Sequence, residues 1–148
     1  MFKRILVPLD RSPGTESVLP ALADLASPGA TTIRLLHVAP VPTAVMDGTR
    51  VVAYADQEGE RVRHLAEVYL RTAARRLAGF AVEVTVRFGD PVEEIIREAK
   101  ECGADLIAMA SHRRAGLSRA FHGSVTEAVM RQGPVPVFVF QYGVPAAA

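Results

Sequence analysis

A single cysteine, Cys102, in 148 residues leaves no intrachain disulfide and no thiolate cage for a metal, which fits a reducing compartment. Neither sign of charge dominates. Seventeen Lys and Arg against 16 Asp and Glu give a net charge of +1, too weak a field to draw the chain onto nucleic acid or an anionic membrane. Nowhere does an apolar run reach the roughly 18 residues of a membrane-spanning helix. The basic start, Lys3-Arg4 before Ile5-Leu6-Val7, is broken by Pro8 and Asp10 too soon to be a secretory leader. The expectation is a cytoplasmic protein with no nucleic-acid and no membrane partner.

What is present reads as one globular domain, with 49% hydrophobic and 22% charged residues in a length typical of a single core. The domain is expected over residues 1–142, with a frayed tail over 143–148. Ile5-Leu6-Val7 with Leu9 is a continuous apolar run, as in a strand buried on both faces of a parallel sheet. Ser12 as N-cap and Pro13 in the first turn predict a helix with Val18, Leu22 and Leu25 facing inward. Residues 31–38 read as a second strand, and residues 39–53 as an irregular connection. A long amphipathic helix follows over 56–78, with Val62, Leu65, Ala66, Tyr69, Ala73 and Leu77 on its inner face.

Residues 81–88 alternate apolar with polar, which suits an edge strand. Asp90-Pro91-Val92-Glu93 supplies an N-cap, a first-turn proline and an N3 glutamate, and Gly103 is placed to end the helix that follows. Residues 105–110 form the next strand, residues 124–131 a helix, and Val135-Pro136-Val137-Phe138-Val139-Phe140 a last strand that is apolar on both faces. Strands alternating with helices give an α/β domain built on an open, five-stranded, mainly parallel sheet with helices on both sides.

The stretch around which the rest is organised runs from Met109 to Thr126. A strand ends at Met109-Ala110-Ser111-His112, an arginine-rich loop with Arg113, Arg114, Gly116 and Arg119 follows, and Gly123-Ser124-Val125-Thr126 opens a helix. A helix N-terminus presents unpaired N–H groups and a positive dipole end, so the layout is that of an anion site. In open parallel sheets ligands sit beyond the carboxyl ends of the strands where the strand order reverses. Asp10 closes the first strand, so it and Ala110 meet there if the two strands are neighbours. Each residue also has a plainer role: Asp10 as a turn-former, Ser124 with Glu127 as a capping pair, His37 as a packed strand-end histidine.

The segments Ile5-Leu6-Val7-Pro8-Leu9-Asp10-Arg11-Ser12, Leu36-His37-Val38, Gly89-Asp90-Pro91, Ala104-Asp105-Leu106-Ile107 and Ser111-His112 through Gly123-Ser124-Val125, taken in order, resemble the universal stress protein family. The resemblance implies a Rossmann-like sheet of order 3-2-1-4-5 and a stress-response or regulatory role. It implies ATP, with Mg²⁺ beside the phosphates, held with adenine near Pro8, Asp10 and Val38 and phosphates on the 110–116 loop and on Ser124, Val125 and Thr126. It also implies a homodimer paired through the last strand.

The family's ATP signature is Gly, two residues, Gly, nine residues, then Gly with Ser or Thr. Ala110 and Arg113 stand at its first two glycines, while Gly123-Ser124 keeps the third. Two readings follow. Either the loop still presents its N–H groups, with the arginines as bidentate phosphate partners, or the chain has become a dimeric interaction module without nucleotide. Hydrolysis is expected to be slow at most, since no Walker-type Gly-x-x-x-x-Gly-Lys occurs, and no His-x-Gly-His supports an adenylate-forming enzyme.

Overall fold

A computed structural model of the chain describes residues 1–112 and 123–143. The central sheet contains β1 (Arg4–Pro8), β2 (Thr32–Ala39), β5 (Ala81–Phe88), β6 (Leu106–His112) and β7 (Val137–Tyr142), in the order β5-β2-β1-β6-β7. All its pairings are parallel. Counted within the sheet this is the order 3-2-1-4-5. A separate antiparallel hairpin, β3 (Val45–Asp47) with β4 (Arg50–Ala53), occupies what reads in the sequence as an irregular connection.

Side chains alternate across the sheet, and the core divides accordingly. Ile5, Val7, Ile33, Leu35, Leu106 and Ala108 face α1 (Val18–Ala21) and α2 (Ala55–Ala74), packing on Val18, Leu22, Ala66, Leu70 and Ala73. Leu6, Leu36, Ile107 and Met109 face α3 (Pro91–Cys102) and α4 (Ser124–Gln132), packing on Ile95, Ala99 and Val129. In α2 the buried line runs through Ala66, Leu70 and Ala73, while Leu65 is 44% exposed. Ala66, Ala73 and Leu77 are thus buried as read in the sequence, and Leu70 joins them where Leu65 turns outward.

The first helix starts later than Ser12-Pro13 suggests. Asp10 Oδ1 accepts from Ser12 N–H at 2.9 Å and from Ser12 Oγ at 2.5 Å, an Asx turn that competes with capping. Gly14 then sits at φ +87°, and helical geometry begins only with a 3₁₀ turn over Thr15–Ser17. The capping reading of α3 agrees with the structure. Asp90 Oδ2 accepts from Glu93 N–H at 3.0 Å, Pro91 opens the helix, and Gly103 closes it at φ +71°.

Charges cover the sheet where α3 meets β5, β2 and β1. Glu98, almost fully buried, accepts from Arg34 Nε and Arg87 Nη1, both at 2.7 Å. Arg34 also reaches Glu83 at 2.9 Å, Arg4 pairs with Glu83, and Arg87 reaches Glu101 at 2.9 Å. Cys102 is partly buried at the rim of this cluster, and burial pushes its thiol above the ordinary range, as in an inert packing cysteine. At the foot of the sheet the Asp105 carboxylate accepts from Lys3 N–H at 2.8 Å and Arg4 N–H at 3.0 Å, pinning β6 to β1.

The β7 residues are all half-buried, so the last strand is only partly covered. No described helix is long and apolar enough to cross a membrane.

A cleft between two diverging strands

β1 and β6 are neighbours, but their ladder is short: it pairs Ile5 with Leu106 and Leu6 with Ile107 and stops. The backbone explains why. Thr32 N–H donates to Lys3 O and Leu9 N–H to Leu36 O on the β2 side, whereas Asp105 N–H donates to Arg4 O on the β6 side. By alternation the main chain of Leu6 and Pro8 faces β6. Proline has no N–H, so the ladder has no donor at the place where it would continue. Ile107 N–H donates to Pro136 O on the β7 side, so the main chain of Ala110 faces back toward β1, beyond the ladder's end.

A cleft of about 180 Å³ opens here. Pro8, Leu9 and Asp10 come from β1 and its exit, Leu36 and Val38 from β2, and Met109 and Ala110 from β6. Thr15 closes one end, and the first turns of two helices, through Pro91 and Ile95 of α3 and Val125 and Thr126 of α4, close another. The walls are largely apolar. Asp10 is the one carboxylate lining them among the described residues.

The two helix ends differ chemically. Asp90 already answers the N-terminus of α3 with its own carboxylate. The N-cap of α4 is Gly123, at φ +86° and ψ 156°, which has no side chain to cap with. Ser124 is therefore the first helical residue rather than the cap. Among the described residues no side chain caps α4, and its first turn, with its positive dipole end, meets the cleft through Val125 and the buried Thr126.

Of the residues singled out from the sequence, Pro8, Asp10, Val38, Met109, Ala110, Val125 and Thr126 meet in this cleft. Gly123 and Ser124 lead into its helical edge. Ser111 is buried at the end of β6, and His112, exposed, lies edge-on to the Tyr142 ring at 5.1 Å. Arg113, Arg114, Gly116 and Arg119 lie outside the described residues. Leu9, Thr15, Leu36, Pro91 and Ile95 line the cleft without having been singled out, because apolar strand ends and first-turn residues read equally well as core. Ala110 belongs to β6, paired with Phe140, and Arg11 is the one described non-glycine residue at positive φ. The alanine at a motif-glycine position therefore strains nothing.

Beneath the cleft His37 fixes the β1 exit. Its Nδ1 lies 2.8 Å from Leu9 O, and because a carbonyl only accepts, that nitrogen carries the proton. The His37 ring meets Tyr69 edge-on, and the Arg11 guanidinium lies 5.5 Å from the centre of the Tyr69 ring. Burial, followed by the carboxylates of Glu16 and Asp10, pushes the Tyr69 phenol up to about 12, so it stays protonated at physiological pH. Among the described residues no group of three or more His, Cys, Asp or Glu is arranged to hold a metal.

The fold and cleft define an α/β domain of the Rossmann-like kind, with a crevice at the carboxyl ends of two adjacent parallel strands. Residues 1–141 match the universal stress protein family, and the chain belongs to that family. It is 30% identical over 146 residues to universal stress protein YxiE of Bacillus subtilis, covering 94% of this chain and 99% of that one. The solved structure of MJ0577, a universal stress protein of Methanocaldococcus jannaschii, superposes with a TM-score of 0.73 at 27% identity over 97% of this chain and 98% of that one. A family protein from Arabidopsis thaliana, At3g01520, solved with AMP bound, shares the fold with a TM-score of 0.62 at 16% identity, over 96% of this chain and 93% of that one.

Proposed function

We propose that the chain is a nucleotide-binding regulatory protein that takes ATP, with Mg²⁺, in the β1–β6 cleft. The observation that carries this reading is the contrast between the two helix ends. One is neutralised by Asp90; the other, at Gly123, has no side-chain cap among the described residues and meets the cleft at Thr126. An apolar slot that leads to an uncapped helix N-terminus suits a flat base joined to phosphate. The AMP bound by the Arabidopsis relative on the same fold supports the ligand class.

On this reading Pro8, Val38, Ile95 and Met109 flank the base. The main chain of Ala110 and the first turn of α4 hold polar atoms, and Asp10, oriented by its bonds from Ser12, faces the sugar. With Asp10 the one lining carboxylate, a Mg²⁺ would arrive coordinated mainly by the phosphates rather than by a protein cage. Mg²⁺ would add charge neutralisation there. The regulatory unit is a homodimer joined through β7, whose outer edge has no neighbour in the sheet order.

Calorimetric titration of the nucleotide-stripped protein with ATP and with AMP, with and without Mg²⁺, tests the reading, with Gly123→Val as control. Micromolar binding that is lost in Gly123→Val supports it. The backbone at Gly123 lies in a region open essentially to glycine, so the substitution forces the helix start to move at a cost of about 1–3 kcal/mol. Binding unchanged in that variant sinks the assignment of the site. If the natural sequence binds no nucleotide but Arg113→Gly does, the protein is instead the dimeric interaction module.

A further inference from the structure

Tyr142 is the last residue of β7 and does not line the cleft, yet it touches structures on both sides of it. Its hydroxyl donates to Pro13 O at 3.0 Å, across 129 residues of sequence. Its ring lies against the backbone of Gly14: a Cβ built there would stand 2.1 Å from Cε2 and 2.5 Å from Cδ2. On the other side it pairs in register with His112, the last residue of β6, and takes that ring edge-on.

The segment it grips is held locally by side-chain bonds between Asp10 and Ser12 and between Asp10 N–H and Thr15 Oγ1 rather than by a regular helix. Between β1 and the 3₁₀ turn over Thr15–Ser17 the chain passes through two left-handed residues, Arg11 at φ +67° and Gly14 at φ +87°. Backbone bonds from Thr15 N–H to Ser12 O and from Ser17 N–H to Gly14 O lead into the turn. Asp10 and Thr15, which bound this segment, line the cleft, and so do Met109 and Ala110 on the strand that ends at His112. One side chain thus joins two elements that line the cleft to the end of the last strand.

We propose that Tyr142 is a positioning residue that sets the spacing of the cleft by holding Pro13-Gly14 against the end of β6. The role in ligand affinity rests on the nucleotide reading above; the role in holding the segment does not. Gly14 is needed twice over, for its left-handed backbone and for the room it leaves to the ring.

Three variants separate the contributions: Tyr142→Phe keeps the ring and loses the hydroxyl, Tyr142→Ala loses both, and Gly14→Ala drives a methyl into the ring. The first readout is amide hydrogen exchange without ligand. Thr15 and Ser17 should exchange faster by about 2- to 10-fold in Tyr142→Phe, the value of one hydrogen bond, and faster still in Tyr142→Ala, while Val7 and Leu35 stay protected. The second is titration with ATP, whose affinity should fall in the same order, with Tyr142→Phe recovering most of what Tyr142→Ala loses. The third is the pair Gly14→Ala with Tyr142→Ala, in which removing the ring should relieve part of the damage done by the methyl.

Unchanged exchange at Thr15 and Ser17 in Tyr142→Ala overturns the proposal whatever the protein binds. Faster exchange with unchanged ATP affinity overturns the positioning role. If the unmodified protein binds no nucleotide, the nucleotide reading fails, and exchange alone decides whether Tyr142 holds the segment.

Discussion

Replacing Glu98 with alanine should remove the centre of the ionic cover over the sheet. Its side chain is 4% exposed, and each carboxylate oxygen accepts one charged bond at 2.7 Å, from Arg34 and from Arg87. Cutting one partner out of a fully buried pair costs about 3–5 kcal/mol because a charge is left stranded. Here the stranding is incomplete. Arg34 keeps Glu83 and Arg87 keeps Glu101, both at 2.9 Å, and the two arginine side chains are 26% and 19% exposed. The expected loss is therefore about 2–4 kcal/mol, toward the lower part of the buried-pair range. Glu101→Ala removes a contact to the same Arg87, but from a side chain that is 59% exposed, and should cost less than about 1 kcal/mol. Urea unfolding of both variants, at constant m-value, gives the comparison directly. Equal losses in the two variants would refute the argument that burial rather than pairing decides the magnitude.

Three further outcomes are expected. Burial works to raise the Asp105 carboxyl, but the N–H groups of Lys3 and Arg4 outweigh it and hold the group below its ordinary range. A depressed folded value means its contribution is complete above the unfolded value near 4 and is lost as pH falls through the folded one, so urea midpoints should drop from pH 5 to pH 3, and less so in Asp105→Asn. In the hairpin Met46 and Val52 are 51% and 55% exposed, so Met46→Ser and Val52→Ser should each change stability by no more than about 0.5 kcal/mol in the isolated protein. Gly103→Ala, at φ +71° with nothing within 4 Å of its new methyl, should cost about 1–2 kcal/mol in thermal or urea unfolding from backbone strain alone.

What could be read from the sequence was what neighbouring residues decide among themselves. Asp90-Pro91-Val92-Glu93 specifies its helix start locally, and the structure obeys it. Ser12-Pro13 carries a comparable signal and fails, because Asp10 reaches Ser12 first and the chain turns left-handed at Gly14, against the Tyr142 ring. The hairpin gave no period because both its faces are exposed, so nothing selects alternation in Val45-Met46-Asp47 or Arg50-Val51-Val52-Ala53. The ionic cover was invisible for another reason. Arg34 meets Glu98 across 64 residues and Glu83 across 49, and no local spacing announces a partner that distant. The cleft was half legible: its strand ends and helix start follow from fold logic, whereas Leu9, Leu36 and Ile95 carry no mark that separates a wall from a core.

The two edges of the sheet are not equivalent. β5 carries Glu83 and Arg87, both engaged in the ionic cover, whereas β7 offers Val137, Phe138, Val139 and Phe140, each only half-buried. In the language of polymer chemistry, a unit with two adhesive ends is bifunctional and grows into chains, while a unit with one is monofunctional and stops at a pair. If the homodimer proposed above forms through β7 while the β5 edge, tied into the ionic cover by Glu83 and Arg87, stays out of it, the sheet is a monofunctional unit whose association ends at two copies.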